Sequence, residues 1–227
     1  MMQEAARRQK AARQAVDQLS GAFKADPFEF ATKADLRSHL HHLLAADPAF
    51  TSEEVPDSFS VVREEYATPF KCHMGDLRFE VLDDHALGAR RDYDLVVLNP
   101  WWMERAPVQA FQNDDFEVFR RDIRDKAQED DPPLCLVGIE IHLVRTERPR
   151  KADYDAVLRD YRKLLLSGQL SNGWRFMDHR YMLVYSQHSQ PHEAKWRELV
   201  QAAWERDVDP KNAWVAWISP RGIRWSG

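Results

Sequence analysis

The chain has two cysteines, eight glycines and no apolar run long enough to cross a bilayer. Cys72 and Cys135 stand alone in stretches that read as strands, so neither a disulfide framework nor a zinc knuckle is expected. A reducing, cytoplasmic compartment fits that usage. Residues 1–19 are rich in Ala, Arg and Gln and hold no apolar signal core, so secretion by that route and membrane association are not expected. The pattern GxxxxGK[ST] is missing, as are GxGxxG after a strand and GxSxG, which leaves nucleotide-dependent and serine-hydrolase readings without footing. An excess of positive charge is also missing. A net charge of -5 argues against coating nucleic acid with the whole surface, because phosphate neutralisation needs clustered Lys and Arg. It leaves a local basic groove open.

With 227 residues, 44% hydrophobic and 30% charged, the composition is that of one large globular domain and not of a disordered chain. Basic clusters occur at Arg7, Arg8, Lys10 and Arg13, at Arg120, Arg121 and Arg124, and at Arg145, Arg148, Arg150 and Lys151. Each reads as a solvated face before it reads as a phosphate site. The eight tryptophans suggest large aromatic anchors.

Residues 3–19 favour a helix, expected as a loosely attached arm within residues 1–32. Thr32 followed by Asp35 resembles a capping box, and Leu36, Leu40, Leu43 and Leu44 then recur at helical spacing until Asp47 and Pro48. A first strand begins near Phe59 and is expected to close before Pro69. Residues 71–82 alternate as a second strand with one wet face. A third runs from about Arg91 to Leu98 and carries Asp94 in its middle, which needs a reason. Residues 100–133, with the apolar knot Trp101, Trp102 and Met103, read as a helical insertion. Leu134 to Val144 has the apolar character of a strand covered on both faces, yet holds Glu140 and His142. Tyr154, Val157, Leu158, Tyr161, Leu164 and Leu165 mark a helix ended near Gly168. A strand at Tyr181–Tyr185, a helix at His192–Glu205 and a strand around Trp214–Ile218 complete the order. The last two belong to a carboxy-terminal segment, residues 187–227.

This order resembles the αβββαβ core of the PD-(D/E)XK nuclease-like superfamily, the restriction-endonuclease-like fold, over about residues 33–186 without the insertion. Arg63 to Tyr66 looks like the Glu-bearing first strand. Arg90 to Val97 looks like the Asp-bearing strand, and Glu140-Ile141-His142 occupies the place of E-x-K. Asp155 to Leu164 is similar to the helix that follows. Both acids fall in apolar strand patterns, where an unpaired carboxylate costs several kcal/mol. The resemblance implies an α/β fold with a central mixed sheet flanked by helices, and hydrolysis of DNA phosphodiester bonds with Mg2+ or Mn2+.

Under that resemblance Asp94 and Glu140 are the expected cation ligands, and Glu65, or Glu64 by one register, an outer carboxylate. Period-two geometry puts His142 on the face of Glu140. A histidine there is mostly neutral at pH 7, where the superfamily's lysine carries a fixed charge. Three alternatives stay open. His142 is a general base or ligand, a basic residue such as Lys163 or Arg159 supplies the charge, or the fold is kept for binding nucleic acid or a protein. Blander readings compete: Asp94 as a solvent-facing acid, Glu140 paired with an Arg across the sheet, and His142 as a satisfied core histidine. An adaptor or structural protein that forms an oligomer, such as a homodimer, through its tryptophan-rich ends is a further class.

Overall fold

The computed structural model describes residues 2–50, 60–72, 79–81, 89–103, 127, 130–147, 149–168, 174–188 and 212–226. The expected helix at His192–Glu205, and most of the expected insertion, lie outside these residues. Two helices open the chain, α1 (Met2–Ala25) and α2 (Lys33–Ala45). The strands β1 (Val62–Cys72), β2 (Phe79–Val81) and β3 (Ala89–Leu98) follow, then a short α3 (Pro100–Met103) and β4 (Cys135–Val144). Helix α4 (Lys151–Leu166), β5 (Met177–Ser186), β6 (Ala213–Ser219) and β7 (Gly222–Ser226) complete the order. No helix among the described residues is long and apolar enough to cross a membrane.

The strands form one mixed seven-stranded sheet in the order β2-β1-β3-β4-β5-β6-β7, so the protein is α/β as expected. Its first half is antiparallel, while β4, β5 and β6 run parallel and β7 turns back. The parallel centre explains the apolar strand at 135–144, since a strand covered on both faces loses the alternation that a wet face imposes. Helix α4 is the crossover between β4 and β5 and lies against both. It ends where Arg180 Nη1 donates to the carbonyls of Leu164 (3.5 Å) and Leu165 (2.9 Å). A Cβ at Gly168 would fall on that guanidinium, which accounts for the glycine there.

Three expectations need correction. The amino-terminal helix is not a loose arm: Ala12, Val16, Leu19 and Phe23 are fully buried, and α1 lies against α2, β4, β6 and β7. Its many Arg and Gln side chains hide a stripe of apolar positions at helical spacing. Arg7 and Arg8, counted in a basic cluster, donate to the Pro48 and Ala49 carbonyls. The first strand does not stop before Pro69 but continues to Cys72. The β1–β3 register shifts between Ala67 and Lys71, an interval where proline, with no N–H to give the ladder, is tolerated. The chain also has a last strand that was not anticipated, β7, paired with β6 through a two-residue turn.

The capping box on α2 is present. The Asp35 N–H donates to Thr32 Oγ1 (3.2 Å) and the Thr32 N–H to Asp35 Oδ2 (2.7 Å). It fixes where α2 starts, and so where Lys33, the first helical residue, stands. The tryptophan knot is packing: the indole N–H groups of Trp102 and Trp174 both donate to the Pro132 carbonyl, at 2.9 and 3.2 Å.

Candidate functional site

Asp94 and Glu140 lie on neighbouring strands. The β3–β4 ladder reads Val96↔Gly138 and Leu95↔Ile139, and one step further the same register sets Asp94 opposite Glu140. At that step the described ladder ends. The Ile141 N–H donates to Asp94 Oδ2 at 2.7 Å, so a carboxylate takes a hydrogen bond that a strand carbonyl would otherwise have accepted. This is the reason for an acid in the middle of an apolar strand. Asp94 is 7% exposed and Glu140 1%, so Asp94 is not a solvent-facing acid.

Each acid is matched by a lysine from a different helix. Lys33 of α2 sits 2.7 Å from Asp94 Oδ1, with 40% of its side chain exposed. Lys163 of α4 is buried, 2.5 Å from Glu140 Oε1 and 4.0 Å from Asp160 Oδ1, and donates to the Asp92 carbonyl at 2.7 Å. Glu140 therefore pairs with a helix lysine and not with an arginine across the sheet. Burial pushes the Glu140 carboxyl well above its ordinary range, Lys163 opposes that, and the neighbouring Asp94 adds to it. Burial alone would lower the Lys163 ammonium, but Glu140 and Asp160 outweigh it and raise it. Lys163 is thus a fixed positive charge at neutral pH.

The remaining expected residues are placed less centrally. His142 is half-buried on β4, where burial lowers its pKa, Asp160 opposes the shift and Lys33 adds to it. It is neutral at pH 7. Glu65 faces Asp94 by register, but its backbone is left-handed (φ 50°) and its exposed carboxylate is held by Arg37 Nη1 at 2.6 Å. Glu64 is bound by the same guanidinium, 3.2 Å from Nε. Arg159 lies on α4 with a buried Nε that has no hydrogen bond, so the basic side chain on Glu140 is Lys163. Sequence reasoning missed Lys33, Arg37 and Asp160. The capping box marked the helix start at Lys33, but nothing local linked it to a strand far along the chain.

Among the described residues no three His, Cys, Asp or Glu side chains converge as a ready-made metal cage. Two carboxylates completed by water are nonetheless what Mg2+ takes, and the all-oxygen character of Asp94 and Glu140 fits Mg2+ or Mn2+ and not zinc. Lys33 and Lys163 each already hold one oxygen of these carboxylates.

The pH dependence of stability has a definite sign. His142 and His179 both have pKa values lowered from 6.5, chiefly by burial. Below the unfolded value the unfolded chain binds the extra protons, so this stability is complete above about pH 6.5 and is lost as pH falls. The unfolding free energy from urea titrations should be lower at about pH 5.5 than at about pH 7.5, and His142→Gln should flatten part of the slope. An unchanged slope in that variant removes His142 from the account.

No protein-family model, no curated protein and no solved structure matches this chain.

Proposed function

We propose that this chain is a divalent-cation-dependent nuclease of the PD-(D/E)XK type, hydrolysing phosphodiester bonds of DNA. The observation that carries the reading is the constellation itself: Asp94 and Glu140 on adjacent strands where the β3–β4 ladder ends, near enough for Asp94 to raise the Glu140 carboxyl, with the Lys163 ammonium on Glu140. The helix–strand order around it fits the restriction-endonuclease-like core that the sequence resembles.

Asp94 and Glu140 would hold the cation, which supplies charge neutralisation and a more acidic water when bound. Oδ2 of Asp94 is kept in place by the Ile141 N–H, so the carboxylate is oriented before any ligand arrives. Lys163 supplies the fixed charge that the motif histidine does not, aimed from the helix instead of the strand. His142, neutral and beside the acids, is left with a polar contact or a proton-accepting role.

A second reading, a catalytically inactive module that binds nucleic acid or protein, is favoured by one observation: each carboxylate already has its own ammonium. The oligomeric-adaptor reading rests on the tryptophan-rich ends, where part of the aromatic surface at the carboxy-terminal end is engaged within the chain. Trp214 stacks on Tyr181, and Trp225 lies under Arg13 and against Tyr181.

The deciding experiment is cleavage of plasmid and single-stranded DNA with Mg2+ or Mn2+ against EDTA. The wild type should cut only with metal, and Asp94→Asn should cut at least about a hundredfold more slowly. Absence of metal-dependent cleavage, with DNA still bound, would transfer the protein to the binding-module reading.

A further inference from the structure

We propose that Lys33 is the exchangeable counter-ion of Asp94, and that a divalent cation enters the site by taking its place on the carboxylate. The inference rests on the reading of Asp94 and Glu140 as the cation site.

The two lysines differ in how they are held. Lys163 is enclosed, its side chain 4% exposed, and is tied at once to Glu140, Asp160 and the Asp92 carbonyl. Its departure would strand a buried carboxylate. Lys33 is 40% exposed on its side chain and, among the described residues, has one ion pair, to Asp94 Oδ1. An ammonium so placed is rehydrated as soon as it swings out, so its release is an inexpensive side-chain motion. The backbone need not follow, because the capping box between Thr32 and Asp35 anchors the turn from which Lys33 projects. Nor does Asp94 move: its other oxygen remains on the Ile141 N–H. The carboxylate is thus built with one oxygen fixed to the sheet and one guarded by a mobile charge. One turn further along α2, Arg37 holds the Glu64 and Glu65 carboxylates in the same manner, which makes this side of the helix a row of cations over strand acids.

The test uses the full chain and Mn2+ alone, without DNA, following free Mn2+ by electron paramagnetic resonance. Binding to the wild type should be abolished by Asp94→Asn. Lys33→Met, which removes the competing charge and keeps the stem, should bind about five- to tenfold more tightly. Lys33→Arg, which keeps the charge, should bind no more tightly than the wild type. In the wild type itself, acylation of Lys33 by a small amine reagent should rise on adding Mn2+, while Lys163 stays unreactive; this needs no variant to fold. Asp94-dependent binding that Lys33→Met does not tighten, or Lys33 reactivity unchanged by saturating Mn2+, overturns the exchange and leaves the cation site standing. Absence of Mn2+ binding in both wild type and Lys33→Met overturns the exchange and the cation reading together.

Discussion

Lys163→Met should destabilise the folded protein by about 3–5 kcal/mol, and Glu140→Met placed on top of it should recover most of the loss. The asymmetry follows from burial. Glu140 is 1% exposed and Lys163 has a side chain 4% exposed, so neither charge is solvated once its partner is gone. Removing the lysine alone leaves a carboxylate in an apolar strand; removing both leaves a strand and a helix joined by apolar side chains of similar size. The single variant should also show a pH signature. Without its cation the Glu140 carboxyl, already raised by burial, rises further. A group whose folded pKa lies above its unfolded value contributes stability that is complete below the unfolded value and is lost as pH climbs through the folded one. Lys163→Met should therefore suffer more at pH 8 than at pH 5. Urea denaturation of the two single variants and the double variant, at both pH values, measures this cycle. Purely additive effects would show that the contact in the structure is not an energetic unit.

How far the sequence went is clearest at β4. Its apolar run, interrupted only by Glu140 and His142, identified a covered strand whose polar residues needed partners, and it proved to be the parallel centre of the sheet. Asp94 was legible for the same reason, since an acid inside a strand pattern stands out against its neighbours. The partners were not legible. Lys33 and Lys163 project from helices, where a lysine is the ordinary residue, and only the tertiary arrangement separates these two from the others. Helix α1 failed differently: Ala11, Ala12 and Ala15 bury backbone-close surface without adding hydrophobic bulk, so the helix looks polar in sequence while one side is fully packed. Phe23, which meets the ring of Tyr185 at 5.0 Å between centroids, carried the strongest signal and lay past the expected end at residue 19. In β1 the strand continued because the sheet absorbed Pro69 in a register shift, a tertiary accommodation that local turn chemistry does not foretell.

Moving the fixed charge from helix to strand should restore what Lys163→Met removes. Cleavage by Lys163→Met should fall by about a hundred- to a thousandfold, the scale of losing one preorganised electrostatic contact to a developing charge. His142→Lys in that background should return a large part of it, because period-two spacing sets residue 142 on the same side of β4 as Glu140, and Asp160 and Asp153 lie close enough to His142 to favour a cation there. His142→Lys alone should give no gain. With Lys163 and Lys33 already present, a third ammonium adds repulsion and a desolvation cost without supplying a charge that is missing. The four proteins, wild type, both single variants and the double variant, compared for Mg2+-dependent plasmid cleavage after circular dichroism has established that each is folded, separate the alternatives left open by the motif. A gain from His142→Lys alone would mean that the wild-type site lacks its cation and that Lys163 is a structural residue. Loss of activity in His142→Lys, unrepaired in the double variant, would assign the histidine a proton-accepting or ligand role, since an ammonium can neither take a proton from water nor offer a lone pair. Rescue confined to the double variant is the result that the Lys163–Glu140 contact demands, because it ties the function to the position of the charge and not to the element that carries it.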